Sequence, residues 1–316
     1  MSRPIRVGTR RSVLATTQSG MVAEMIRTLL GREAELVEVT TEGDVNRASL
    51  ASMGGAGVFV SRLRDALLEG RVDVAVHSLK DLPTAPAEGI ALAAVPPRED
   101  PRDVIVARDG LTLGELPVGS RIGTGSPRRA AQLAALVLGL EVVDIRGNVD
   151  TRIGKVTRGE LDAVVLARAG LSRLGRAAEA TEVLDPLQML PAPGQGALAV
   201  ECRAADTDLV AALAGLDDHH TRAAVTAERA VLATLEAGCS APLGALADVV
   251  EGEEGPDSPE LWIRAVALSH DGGLTVRRSA TGPVADAAAT GHRLGSEMLA
   301  DGAADLMHAP VRKQDS

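Results

Sequence analysis

The chain has 316 residues, 45% of them apolar, enough for a substantial core and for two or three domains. A formal charge of −10 excludes a general nucleic-acid binder, which carries a basic face, and one Phe, one Trp and no Tyr exclude base-stacking platforms. No apolar run reaches membrane-spanning length, Met1-Ser2-Arg3-Pro4 leads into a strand rather than a hydrophobic leader, and Cys202 and Cys239 form neither a disulfide framework nor a zinc spacing, so a soluble cytoplasmic protein is expected.

Ile5-Arg6-Val7 reads as a first strand, and Gly8-Thr9-Arg10-Arg11-Ser12 hands it to a helix over 13–30, with Ser12 as N-cap and Gly31 as stop. Arg10 and Ser12 therefore stand at a strand-to-helix turn, a natural anion seat, although an ordinary capped turn would look the same. A strand over 35–41 follows, then an irregular Gly-rich loop over 42–56 and a short amphipathic helix over 58–69. Val72, Val74 and Val76 form a buried strand that ends in His77, Ser78, Lys80 and Asp81, with Pro83 preventing its smooth continuation. Ligands of open α/β sheets bind beyond the carboxyl ends of strands, which makes this corner a candidate site.

After a strand over 90–95, the Pro-rich charged stretch 96–103 reads as a hinge, and a second lobe begins at Val104. The first pattern recurs there: Arg121 to Thr124 is a strand, Ser126 an N-cap, Pro127 the first helical residue, and the helix runs over 128–138. Arg128 and Arg129 sit in its first turn, against the macrodipole preference for acids, an arrangement that asks for an anion. Strands over 141–145 and 161–167 end in further arginines, Arg146 and Arg152 after one, Arg168 and Arg173 after the other. Either group alone would pass for a solvated loop. Arginine clusters at strand ends of an acidic chain, with lysine only at 80, 155 and 313, point to an anionic ligand.

The break at 190–196 precedes a strand over 197–202 that crosses back, with Cys202 as a packed core thiol. His219 and His220 start a helix whose strong segment runs over 221–237, and Gly238 and Cys239 form its C-terminal turn. An acidic surface loop over 251–260, a hairpin over 261–268 and 274–279, a helix over 285–299 and a frayed tail at 312–316 complete a small α/β terminal domain.

The chain resembles the porphobilinogen deaminase (hydroxymethylbilane synthase) family nearly end to end. The likeness rests on Gly8-Thr9-Arg10-Arg11-Ser12, His77-Ser78-Leu79-Lys80-Asp81-Leu82-Pro83, Arg98-Glu99-Asp100-Pro101-Arg102-Asp103, Gly125-Ser126-Pro127-Arg128-Arg129, Arg146-Gly147-Asn148, Pro193-Gly194-Gln195-Gly196 and Gly238-Cys239. It implies an α/β fold of two periplasmic-binding-protein-like lobes joined by a hinge, residues 1–98 with 197–218 and residues 99–196, and a cofactor-anchoring C-terminal domain over 219–316. It also implies a monomer that joins four porphobilinogens head to tail with loss of ammonia, on a dipyrromethane held covalently by Cys239, and releases hydroxymethylbilane by hydrolysis. By the same resemblance Asp81 is the catalytic carboxylate, facing the cationic azafulvene-like species left by ammonia. Lys80, Ser78, Ser126, Arg128, Arg129 and Arg146 hold the cofactor, and Arg10, Ser12, Arg146, Arg152 and Arg173 the substrate carboxylates. The family's loop lysines are replaced here by Ser52, Ala56 and Ser61. That departure keeps open an alternative, a divergent paralogue or a non-catalytic anion- or tetrapyrrole-binding protein with an altered lid.

Overall fold

The computed structural model describes residues 3–39, 56–238, 241–252 and 255–308. The anchor expected at Cys239, the Gly-rich loop with Ser52 and the tail at 312–316 lie outside the described residues. Two compact units emerge: residues 1–99 with 197–222, and residues 100–196 with 223–316.

In chain order, β1 (Ile5–Thr9) turns into α1 (Val13–Leu30), where the Ser12 hydroxyl accepts the Ala15 N–H at 3.3 Å and Gly31, at φ +60°, closes the helix. β2 (Ala34–Glu38) lies parallel to β1; α2 (Ala56–Leu68) leads to β3 (Val74–Ser78), also parallel to β1, and β4 (Ile90–Ala94) ends the segment. The next unit opens with β5 (Asp103–Ala107) and β6 (Arg121–Thr124), then α3 (Pro127–Ala135) and β7 (Glu141–Asp144). α4 (Val149–Thr157), β8 (Ala163–Ala167), α5 (Arg168–Arg173) and the short β9 (Glu182–Val183) follow. The chain then returns to the first unit through β10 (Leu198–Arg203) and α6 (Thr207–Leu213), and α7 (His219–Thr234) carries it on. A meander of β11 (Leu243–Gly252), β12 (Gly255–Leu268) and β13 (Thr275–Pro283), backed by α8 (Ala287–Ala300) and α9 (Ala303–His308), closes the fold.

The two five-stranded sheets share one plan. Their orders are β2-β1-β3-β10-β4 and β7-β6-β8-β5-β9, and in each the fourth strand runs antiparallel to both neighbours. In the first sheet that strand is the last to be added along the chain; in the second it is the first. Apolar clusters cover both faces of each sheet, one around Val7, Ile26 and Val200 and another around Leu63, Leu67 and Val72 in the first. In the second, the clusters centre on Ile105, Leu133 and Val165, and on Val164, Leu166 and Leu171. Double coverage explains why these strands read as continuous Val/Ala runs rather than alternating ones. The α/β class, the two lobes of like strand order and the small C-terminal α/β layer are therefore observed.

Several local expectations are corrected. The acidic stretch 251–260 is largely strand, since β11 and β12 form a hairpin closing at Gly252 and Gly255, and the sheet has three strands rather than two. The Arg146–Arg152 and Arg168–Arg173 segments contain helices rather than plain loops; Asn148 caps α4 by accepting the Thr151 N–H at 2.9 Å. The helix over 128–138 stops at Ala135 because Val137 and Gly139 take positive φ, and α7 ends at Thr234, before Glu236 at φ +48°. Cys202 is fully buried, and burial pushes its thiol up to about 11.

Candidate functional site

The carboxyl end of β3 builds the first half of the site. The strand ends at Ser78, and a single 3-10 turn, Leu79–Asp81, carries Lys80 and Asp81 away from it. That turn is fixed from below: Leu79 is fully buried and its N–H donates to Ala197 O at 3.0 Å. The Ser78 side chain meets Gln18 of α1, whose Nε2 donates to Ser78 Oγ at 3.0 Å. Arg10, at the end of β1, joins Gln18, His77, Ser78 and Asp81 around one pocket floored by Val60, Leu63 and Val76. Parallel pairing of β1 and β3 is the reason: it brings both carboxyl ends to one edge of the sheet. Ser12, by contrast, is exposed and engaged as the α1 cap.

A buried carboxylate stands under this corner. Glu201, 3% exposed on β10, accepts from Arg64 Nη2 at 2.6 Å and Nε at 3.0 Å, and lies 3.3 Å from His77 Nε2. Those partners outweigh burial and hold its pKa down at about 2.

The second unit repeats the strand-end plan with arginines. Ser126 caps α3, and Arg128 and Arg129 in its first turn are both buried. The anion that answers them comes from the chain itself. Asp103, fully buried at the start of β5, accepts from Arg128 Nη2 at 2.6 Å and from Arg129 Nη2 and Nε at 2.7 and 3.1 Å. Gln195 Nε2 adds a fourth bond at 2.8 Å. The two guanidiniums hold the Asp103 carboxyl well below the usual range despite its burial. The sequence argument that this helix start needs an anion is thus met by Asp103.

Arg129 Nη1 also donates to Val165 O, and Arg128 Nη1 to Leu190 O, which leaves Arg128 Nε buried without a hydrogen-bond partner among the described residues. Arg152 is half-buried, with Nε donating to Gly147 O at 2.9 Å; burial and the charge of Arg129 push its pKa down. Arg146 is exposed and lines a cavity of about 450 Å³ with Asp144 and Lys155. Arg173 donates to Gly196 O at 2.6 Å. Two groups thus form, Arg10–Ser78–Asp81 in one unit and Arg128–Arg129–Arg152 in the other, with Arg146 and Arg173 at neighbouring strand ends of the latter.

Sequence reasoning missed Gln18, Glu201 and Asp103. Glu201 had a legible signal, a lone acid inside the apolar run Ala197 to Cys202, which marks a buried, paired carboxylate. Asp103 was hidden in a charged hinge sequence. No cluster of metal-binding side chains occurs among the described residues, and no described helix is long and apolar enough to cross a membrane.

A family model described as porphobilinogen deaminase, dipyromethane cofactor binding domain, matches residues 5–211, and the porphobilinogen deaminase C-terminal domain matches residues 222–300. Porphobilinogen deaminase 1 of Streptomyces coelicolor is 59% identical over 313 residues, covering 96% of this chain and 98% of the relative. Porphobilinogen deaminase of Mycobacterium tuberculosis is 58% identical over 305 residues, with 96% and 98% coverage. The chain belongs to the porphobilinogen deaminase family. Among solved structures, the periplasmic VFT2 domain of Bordetella pertussis BvgS matches with a TM-score of 0.40 at 17% identity, over 67% of this chain and 86% of that one. A periplasmic substrate-binding protein of an ABC transporter from Coxiella burnetii gives 0.40 at 14%, over 66% and 91%.

The donor set fits the cofactor that the porphobilinogen deaminase model names. Dipyrromethane side chains end in carboxylates, and the buried Arg128 Nε is an unused donor beside two further guanidiniums. A buried N–H without a partner is costly, and a charged acceptor would relieve it.

Proposed function

We propose that the chain is a hydroxymethylbilane synthase, a transferase that joins four porphobilinogens head to tail with loss of ammonia and releases the linear tetrapyrrole by hydrolysis. The observation that supports this most is the meeting of Arg10, Ser78 and Asp81 around one pocket in a chain of the porphobilinogen deaminase family.

In this reading Arg10, Arg146, Arg152 and Arg173 bind acetate and propionate groups, since a guanidinium offers a planar fork to a carboxylate and keeps its charge. Ser12 assists at the substrate side. Ser78, Lys80, Ser126, Arg128, Arg129 and Arg146 hold the dipyrromethane, and Cys239 anchors it covalently. When bound, the dipyrromethane supplies the pyrrole carbon at which the chain is extended. Asp81 faces the positive charge that develops on the substrate methylene as the C–N bond breaks and ammonia leaves with the electron pair. Its carboxylate also accepts pyrrole N–H groups and a proton in transfer. The anchor keeps successive additions between tethered partners, which removes the entropic cost of a bimolecular encounter. The protein is read as a cytoplasmic monomer without nucleic-acid or membrane partners, in keeping with its charge of −10.

The test is the intact mass of the purified protein beside a Cys239→Ala variant, with porphobilinogen consumption followed in parallel. The expected result is an added mass of two linked pyrroles, absent in the variant, and turnover only in the loaded form. An unmodified mass that persists after incubation with porphobilinogen would overturn the reading and favour a binding protein.

A further inference from the structure

Beneath the Ser78–Asp81 corner, three charged or titratable side chains from three elements meet in a place that the chemistry above does not use. Arg64 comes from α2, His77 from β3 and Glu201 from β10. The pairing of β3 with β10 sets Ala75 opposite Glu201 and Ala199 opposite His77, so Glu201 and His77 are diagonal neighbours on one face of the sheet. Helix α2 packs on that face and delivers Arg64 to the same carboxylate. His77 and Glu201 are 6% and 3% exposed, and Arg64 shows only 15% of its side chain.

The carboxylate is unequally shared. Arg64 binds it through two well-formed bonds, whereas His77 Nε2 stands 3.3 Å away without an aligned hydrogen bond. His77 is also the residue before Ser78 and lines the pocket beside Asp81. The ring therefore connects the buried carboxylate to the pocket.

We infer that Glu201 is a positioning residue for the reaction: clamped by Arg64, it holds His77, and through His77 the Ser78–Asp81 turn, in the geometry the pocket requires. The inference rests on the proposed activity and names a device that serves it. Arg64 is the control element. While it clamps Glu201 through two bonds, the carboxylate stays fixed and the ring keeps its place beside the pocket. Without it, Glu201 would be a buried charge with one weakly placed partner, His77, and the carboxylate and the ring would move toward each other. Such a movement shifts the backbone at His77, and hence Ser78, Lys80 and Asp81.

Four full-length proteins test this: wild type, Arg64→Ala, Arg64→Lys and Glu201→Gln. Each is checked for cofactor load by intact mass and for thermal midpoint, and kcat and KM for porphobilinogen are measured separately. Arg64→Ala is expected to stay folded and loaded, because the residue lies at the edge of the cluster, yet to lose about tenfold in kcat with KM changed less than twofold. Arg64→Lys restores most of kcat by returning a cation to Glu201, and Glu201→Gln falls with Arg64→Ala. Folded, loaded Arg64→Ala and Glu201→Gln proteins with wild-type kcat would overturn the inference. So would a kcat loss that merely follows lost cofactor or that lysine does not repair. A wild-type protein that consumes no porphobilinogen instead removes the proposed activity itself, and the two failures are told apart by that first measurement.

Discussion

Asp103 shows how one side chain can decide the meaning of two others. Arg128 and Arg129 look from the sequence like an empty anion seat, yet both point into a carboxylate that is fully buried. Asp103 leaves open the unused Arg128 Nε and the half-buried Arg152 guanidinium beside it. Asp103→Asn would leave two buried cations facing one neutral amide. A cost of about 3–5 kcal/mol is expected for breaking a buried pair from one side, read as a lower urea midpoint at neutral pH. The pH response has a definite sign. Asp103 has a folded-state pKa below its ordinary 3.8. Its contribution is therefore complete above that value and is lost as acid is added below it. The wild-type midpoint should fall on going below about pH 4, and the Asp103→Asn midpoint should fall less over the same range. Equal slopes for the two proteins would show that Asp103 is not ionised in the fold.

At the scale of elements, the sequence carried the strands and the capped helices well, because the physical signals were local. Ser12 with Gly31 bracketed α1 to the residue, and Ser126 with Pro127 opened α3. The site followed from the same signals, since strand ends can be read before the sheet is known; Arg10, Ser78 and Asp81 were placed by that logic and meet in one pocket. What could not be read was set by tertiary context. The stretch 251–260 carries glycine and acids that suggest a loop, and pairing between β11 and β12 overrides that preference. Helix α4 was missed although Asn148 is a good cap, because the arginines around it drew the reading toward a loop. The helix carries Arg152, proposed above to bind substrate carboxylates, one turn in from its cap. Asn148 Oδ1 accepts from both the Thr151 N–H and its hydroxyl, at 2.9 and 2.8 Å. Asn148→Ala should cost about 1 kcal/mol of stability and, by loosening the first turn, raise KM for porphobilinogen more than it lowers kcat. A changed kcat with unchanged KM would mean that α4 does not serve substrate binding.

At the scale of the molecule, the chain passes between its two units at 99/100, 196/197 and 222/223. The stretch before the second passage is tied down within its own unit. Gln195 reaches Asp103 and Pro101 O, Arg173 binds Gly196 O, and Gly194 and Gly196 both take positive φ, at 76° and 88°. Glycine suits both places because a side chain there would be strained. The third tie comes from Glu228, a carboxylate of α7 with no exposed surface, which accepts the Gly194 N–H at 2.6 Å and the Ala247 N–H at 2.8 Å. One side chain thus joins the 193–196 loop, the helix that precedes Cys239 and the first strand of the meander. Both carboxylate oxygens are used, so an amide is a poor substitute: Glu228→Gln would set its NH₂ against a backbone N–H. The expected cost is about 1–3 kcal/mol, seen as a lower thermal midpoint and as faster proteolytic cleavage around 193–196. Because α7 leads toward Cys239, the anchor proposed above, the same variant should also carry less covalent cofactor by intact mass. Full loading with an unchanged cleavage rate would show that the loop is held by Gln195 and Arg173 alone.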